Sequence, residues 1–438
     1  MPFNGCQLPA TACAEEIARR QLELLKRHVL YLERNSPFYR QCFTEIGFCA
    51  GELQALEQLR DLPLTSKKQL AADNRAFLAV PEVAVVDVCT TSGTTGTPVV
   101  VWQTEGDLLR LAENECQAFI AAGVTPEDRV LVAAALDRGF MAGLAYFLGL
   151  RKLGAAVLRA GSSSLDYLRE MLLLQRPQVL VGVPSLFLAL GHHLQQAGPD
   201  LRQLGVRTLV CIGEPVRGED LRLSALGTEL QSCWGASVLG TYAGTEIATA
   251  FADCAVGACG GHLLPELALV EILDAAGAPV AAGEVGEVVV TPLGIEGTPL
   301  LRYRTGDLAR LHHGPCVCGR ITPRLGPIIG RREQMLKCRG TTLFPATITA
   351  ALQELPAIRG HYLEVYSAHD LVDDVRVVVG CCDPQIRAED ISGLIAARSR
   401  VKLEVRVCSP EEVYRKTHPG HRRKPVTFFD YRHQRPSQ

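Results

Sequence analysis

Arg207-Thr208-Leu209-Val210-Cys211-Ile212 is β-rich and apolar on both faces, and it breaks off at Gly213-Glu214-Pro215. A strand with one wet face would alternate polar and apolar residues. This run does not, so it belongs inside a parallel sheet covered by helices on both sides. Runs at 129–135, 155–159, 178–183 and 237–242 read the same way, each separated from the next by room for a helix. The expected fold class is therefore α/β, with mostly parallel strands covered by helices. Ligands on such sheets bind beyond the carboxyl ends of the strands. The loops at 213–215 and 243–246 follow strands and are candidate site loops.

Upstream, 15–34 reads as an amphipathic helix with Ile17, Leu24, Leu25, Val29 and Leu32 near one face. After Glu266 the strands come closer together, at 267–273 and 284–291, which suggests an antiparallel subdomain. Beyond Arg332 follow a helix, strands at 362–366 and 375–381, a helix at 388–399 and a strand at 402–408. That is a small α+β unit with enough chain for its own core. The expected domains are 1–332 and 333–438.

The chain has 438 residues, 47% hydrophobic and 21% charged, with a net charge of -2. That balance favours neither nucleic acid nor an anionic membrane as partner. No apolar run reaches the ~18 residues a membrane span needs. The first residues lack a basic stretch followed by an apolar core, so an export signal is not expected and a cytoplasmic location is. Sixteen cysteines are many for that compartment, and metal ligands or buried thiols explain them better than disulfides do.

Thr90-Thr91-Ser92-Gly93-Thr94-Thr95-Gly96-Thr97-Pro98 carries the chemistry. Its two glycines permit tight curvature, so that amides converge on an anion, and its hydroxyls can follow phosphate oxygens. No Gly-Lys-Ser/Thr follows, so it is not a Walker A loop. Taken alone, it also reads as a Thr/Gly-rich surface turn.

The loop resembles the phosphate-binding signature of the adenylate-forming superfamily: acyl-CoA synthetases, peptide-synthetase adenylation domains and luciferases. More closely, the chain resembles the phenylacetate–CoA ligase branch along nearly its whole length. The matching motifs, in order, are Ser36-Pro37-Phe38-Tyr39-Arg40, Leu62-Pro63-Leu64-Thr65-Ser66-Lys67, Gly213-Glu214-Pro215 and Tyr242-Ala243-Gly244-Thr245-Glu246. Arg302-Tyr303-Arg304-Thr305-Gly306-Asp307, Gly330-Arg331, Arg339-Gly340 and Phe344-Pro345 follow.

That resemblance implies ATP-dependent activation of a carboxylic acid to an acyl-adenylate, then transfer to coenzyme A, by a large domain and a small mobile one. It implies that Thr91, Ser92, Gly93, Thr94, Thr95 and Gly96 hold the phosphates and that Glu246 binds Mg²⁺, a hard cation suited to a carboxylate. Thr245 would donate to the α-phosphate. Tyr242, Gly213, Glu214 and Pro215 would flank adenine, Asp307 would take the ribose hydroxyls, and Arg331 would lie near ribose and phosphate. Outside that set, Glu246 reads equally as a first-turn helix acid, Asp307 as a turn residue and Tyr242 as core.

The chain departs from the family pattern in three places. Val99 follows Pro98 where a lysine is common, and Glu333 stands at the hinge position usually held by Asp. The family's catalytic lysine follows a glycine near the C-terminus, where this chain has Gly420-His421-Arg422-Arg423-Lys424. His421 takes that position, with Lys424 or Arg422 within reach of it, and a solvated basic tail is the other reading. An amine or carrier-protein acceptor, or a nucleotide-binding homologue with degraded chemistry, are the rival functions.

Cys254, Cys259 and His262 precede Cys316-Val317-Cys318-Gly319. Two close-spaced pairs brought together by a fold suit tetrahedral zinc. Cys254, His262, Cys316 and Cys318 would complete a structural Zn²⁺ site, with Cys259 as a competing ligand, and the ligase branch carries a similar arrangement. The acyl pocket is expected from 140–147 and from the residues before Tyr242. Phe140, Met141, Tyr146 and Phe147 among small residues suit an apolar or aromatic acid, or equally a buried helix. The expected partner is a small carboxylic acid, and a homodimer stays open.

Overall fold

A computed structural model describes residues 5–91, 98–196, 198, 200–257, 259–338, 341–367, 373–419 and 425–432. The chain divides into two compact units, Met1–Thr305 with Ala309–Pro327, and Gly306–Leu308 with Ile328–Gln438.

In the first unit the five apolar runs are strands β1 (Arg129–Val132), β2 (Ala156–Arg159), β3 (Val179–Gly182), β4 (Thr208–Ile212) and β5 (Ser237–Gly244). They are parallel and ordered β2-β1-β3-β4-β5. Leu131, Leu180, Leu209 and Val238 pack on one face against Phe187, Leu190 and Trp234. Val130, Val132, Val179, Val181, Val210 and Leu239 pack on the other against Phe119, Tyr146 and Leu150. Along β1, β3 and β4 both faces are dry, which is why those runs carry no polar alternation.

The antiparallel strands do not form a separate sheet. β6 (Thr249–Ala252), β7 (Gly261–His262), β8 (Ala268–Leu273), β9 (Val285–Pro292), β10 (Tyr303–His312) and β11 (Arg324–Leu325) extend the parallel set in the order β8-β9-β10-β11-β7-β6-β5. The hairpin reversal of β6 against β5 switches the sheet from parallel to antiparallel within one hydrogen-bonded array. Sequence spacing marks the switch but not the continuity.

Helices α1 (Ala14–Asn35) and α2 (Pro37–Ile46) bring the N-terminal motifs to this sheet. The amide of Leu301 donates to the Tyr39 hydroxyl at 2.8 Å, and Thr65 Oγ1 donates to the Leu301 carbonyl at 2.7 Å. Arg302, buried and at φ 45°, donates to both carboxylate oxygens of Glu271 and to the carbonyls of Arg60 and Leu62. Arg302→Ala would leave that carboxylate and those carbonyls unpaired, and is expected to destabilise by about 3–5 kcal/mol in denaturant titration. Lysine lacks the planar fork and would not restore the loss.

Helices α3 (Glu105–Ala121) and α4 (Met141–Leu153) cross closely, because Gly149 has no side chain. A Cβ there would stand 2.3 Å from the Cβ of Glu115.

In the second unit, Gly330–Arg331 pairs antiparallel with Asp307–Leu308, which draws those residues into it. The units therefore part at 327/328, where sequence patterning places the boundary at 332/333. A four-stranded sheet runs Glu404–Cys408, Asp373–Cys381, Ile358–Ser367, Phe428–Asp430. Pro345–Leu352 and Ala388–Ser399 cover one face, while Val413 of Pro410–Thr417 packs on the other against Tyr362 and Val378. That last helix and Phe428–Asp430 are additions to the elements expected from periodicity.

Candidate active site

Parallel pairing of β4 and β5 sets Ile212 beside Thr241, so the chain leaves both strands at neighbouring points. Gly213 turns out of β4 at φ 77° with open space around it. Glycine is needed there for conformation rather than for room. The carboxylate of Glu214 accepts from Ser185 N at 3.1 Å and Oγ at 2.9 Å, tying the loop after β4 to the first turn of the helix Pro184–Gln196 that follows β3. The Tyr242 ring stacks on Phe251 at 6.0 Å and 13°. Thr245 and Glu246 sit in the turn that ends β5, where Ala248 N donates to the Gly244 carbonyl. Glu246 meets Lys67 Nζ at 3.1 Å with only 14% of its side chain exposed. Lys67 lies in a quoted motif, but nothing in the sequence gives it that role.

The Thr/Gly-rich stretch joins the two strands of a β-hairpin, Asp87–Thr90 against Val100–Gln103. Thr91 N donates to the Val99 carbonyl at 2.9 Å, and Val99 N donates to Thr91 Oγ1 at 3.1 Å, clipping the loop shut at its base. Thr90 N donates to the Gly139 carbonyl, joining the hairpin to the loop before α4. Ser92, Gly93, Thr94, Thr95 and Gly96 lie outside the described residues, as do His421, Lys424, Arg339 and Gly340. In the second unit Arg331 Nε is 3.1 Å from Asp307 Oδ1, a carboxylate mostly buried against an exposed guanidinium.

Sequence reasoning did not single out Glu115. Its surroundings, Glu113-Asn114-Glu115, read as a solvated helix face, yet Arg110, Glu113, Asn114 and Glu115 are all buried. Glu115 lines a cavity of about 10 Å³ with Tyr146, Val210, Thr241 and Asp253. Burial alone pushes its carboxyl from the ordinary 4.5 to about 8. A carboxyl whose folded pKa is raised costs stability as it ionises, so stability falls as pH rises from about 4.5 to about 8 and is flat above. Glu115→Gln removes that loss. Its advantage over wild type is expected to open across that window and to reach a few kcal/mol above pH 8, at about 1.4 kcal/mol per tenfold. Thermal melts from pH 5 to 9 would read this, and a gap independent of pH would refute it.

The cysteine cluster sits between β6, β7 and β11. Ligand atoms of Cys254, His262, Cys316 and Cys318 all lie within 4.8 Å of one another. Tetrahedral zinc, with sulfur at about 2.3 Å and nitrogen at about 2.0–2.1 Å, sets ligands roughly 3.6–3.8 Å apart. The Cys254 and Cys316 sulfurs are 3.8 Å apart, and Cys318 Sγ is 3.6 Å from His262 Nε2. His262 Nδ1 is buried with no partner among the described residues. Cys259 Sγ is closer, 3.4 Å from Cys254 Sγ and 3.3 Å from the Gly260 carbonyl. It also accepts from Cys254 N. Contact between these two thiols pushes Cys254 down and Cys259 up from their ordinary value. The donor set fits zinc, with Cys259 beside it.

Residues 52–295 match the AMP-binding enzyme family. A phenylacetate–coenzyme A ligase of Thermus thermophilus is 33% identical over 383 residues, covering 85% of this chain and 83% of that one. Phenylacetate–coenzyme A ligases of Pseudomonas putida and Escherichia coli K12 are 30% and 31% identical, covering 86% and 81% of this chain and 84% and 80% of theirs. Among solved structures, a 2-hydroxyisobutyryl-CoA ligase in complex with 2-HIB-AMP superposes with TM-score 0.85 at 22% identity, covering 96% of this chain and 90% of that one. A benzoate CoA ligase from Burkholderia xenovorans LB400 superposes with TM-score 0.54 at 20% identity, covering 71% and 63%. These two establish the fold. The ordered motifs, the sheet that carries them and the relatives at 30% identity or more agree: the chain belongs to the AMP-binding enzyme family, in its phenylacetate–CoA ligase-like branch.

Proposed function

We infer that the protein is an AMP-forming acid–CoA ligase. A carboxylate attacks the α-phosphorus of ATP and expels pyrophosphate; the thiol of coenzyme A then attacks the acyl carbon and expels AMP. The observation that carries this reading is Glu246, paired with Lys67 in the turn that follows β5, in a chain of this family.

Charge develops on phosphoryl oxygens in the first step, so positioning and electrostatic stabilisation dominate. Thr91 anchors the phosphate loop. Thr245 donates to the α-phosphate, and Tyr242 offers a ring face to adenine while Phe251 supports it from behind. In its own unit Asp307 takes ribose hydroxyls, with Arg331 at hand. Mg²⁺, when bound, neutralises phosphoryl oxygens, and Glu246 is its carboxylate ligand. His421 and Lys424 are the candidates for the cationic group that contacts substrate carboxylate and α-phosphate. A zinc held by Cys254, His262, Cys316 and Cys318 would be structural, since four protein ligands would leave no open position. Among the described residues no helix is long and apolar enough to cross a membrane, in keeping with a cytoplasmic enzyme acting on a small acid.

Phenylacetate heads the panel of acids to test. ATP–pyrophosphate exchange that depends on acid, together with AMP release that depends on coenzyme A, is the expected result. ATP binding without exchange for any acid would overturn the reading.

A further inference from the structure

We propose that Glu115 reads the far end of the acid, accepting a hydrogen bond from a hydroxyl or amino group on a substrate ring. The proposal rests on the ligase reading above and names the substrate class for that site. Its ground is the cavity beneath the candidate site loops. Tyr146 and Thr241, which line it, come from the two segments expected to form the acyl pocket, and Val210 lies three residues before Gly213.

Two acidic groups face this space, and only one is committed. Asp253 meets Arg217 Nε at 2.5 Å and accepts from Gly240 N at 2.9 Å. Glu115, 4% exposed, has neither hydrogen-bond nor ion-pair partner among the described residues, and burial is the sole influence on its acidity. A buried acceptor left unpaired is costly, and an apolar side chain would fill the position more cheaply. The close crossing at Gly149 packs against its Cβ, which restrains the stem of a side chain that lines the cavity.

Size then limits the occupant. About 10 Å³ admits one water-sized group and no ring. Thr241 lies three residues before Gly244, the end of β5, about 10 Å at roughly 3.3 Å per residue. One aromatic ring between a carboxyl-bearing arm and a polar substituent bridges that depth. The ring lies above the cavity and the substituent enters it.

The test uses the full chain with phenylacetate, its 3- and 4-hydroxy derivatives and its 4-amino derivative. One arm measures kcat/KM for CoA-dependent AMP formation; the other measures the thermal shift each acid gives without ATP. Wild type is expected to prefer a hydroxy or amino acid over phenylacetate by at least about tenfold, and the favoured derivative identifies the donor. Glu115→Val should reverse the preference, and Glu115→Gln, which keeps an acceptor, should retain it in part. Turnover that favours phenylacetate, or a preference unchanged in Glu115→Val, overturns the proposal and leaves the ligase reading intact. A thermal shift specific to the hydroxy or amino acids, lost in Glu115→Val but without turnover of any acid, sustains Glu115 and overturns the ligase reading. No turnover and no shift overturns both.

Discussion

Glu246→Gln is expected to lower kcat/KM for AMP formation by about 10²-fold or more, with little change in melting temperature. Removing one group that stabilises developing charge costs on that order, and the amide can no longer compensate a cation near the phosphates. The stability effect should be small, because the Lys67 partner is itself 38% exposed and such pairs contribute at most about 1 kcal/mol. A rival account is that the freed Lys67 interferes. Lys67→Met in the same background separates the two accounts: if Glu246→Gln acts only through Lys67, the double variant recovers activity. An activity loss matched by a fall in melting temperature of comparable severity would place Glu246 in the scaffold instead.

The fold was readable where one physical constraint dominates. β1, β3 and β4 are buried on both faces, whereas β2 at the sheet edge and the end of β5 are partly exposed; apolar runs separated by helices still mark class and spacing from residue type alone. Continuity of the sheet through β6 to β11 is different. It depends on which strands pair across long separations, and the sequence of β8 looks the same in one sheet or two. The boundary at 327/328 depends likewise on Gly330–Arg331 pairing with Asp307–Leu308, a contact across more than twenty residues with no local signature.

Thr91, Gly213, Tyr242 and Glu246 stand out in the sequence as candidates because turn chemistry and ordered motifs mark them. Glu115 is not, since a glutamate on a helix beside Glu113 and Asn114 carries the signature of a solvated face. The close approach of α3 and α4 at Gly149, together with the sheet beneath, buries it. A glycine in mid-helix was the one available hint, and it says that something packs there without saying what. Lys67 shows a similar limit: the motif can be quoted, but its partner is 179 positions away. Polar residues buried by tertiary packing are thus where a reading from periodicity fails, and here they are also where the substrate's chemistry is read.

The cysteine cluster carries the other large expectation. Purified protein should hold about one equivalent of zinc, and Cys318→Ser or Cys316→Ser should bring it below about half an equivalent. The same variants should lower the melting temperature substantially, because one ion joins the Cys254–His262 segment to the Cys316–Cys318 turn across more than fifty residues of chain. A link of that kind contributes by binding only the folded state, and without it three thiols and a histidine with an unpaired Nδ1 remain packed together. Cys259→Ser distinguishes ligand from neighbour. Its sulfur stands nearer Cys254 than two zinc ligands would, and it donates to the Gly260 carbonyl as only a protonated thiol can. Serine keeps a donor, so zinc should stay near one equivalent while affinity in chelator competition falls by about tenfold to a hundredfold, the usual effect of losing a group that orients a ligand. If Cys259→Ser loses the metal and Cys318→Ser retains it, Cys259 is the fourth ligand and Cys318 the neighbour. If all variants and wild type are metal-free after purification in zinc-supplemented medium, the cluster is a set of packed thiols, and the surplus of cysteine in this chain needs another cause.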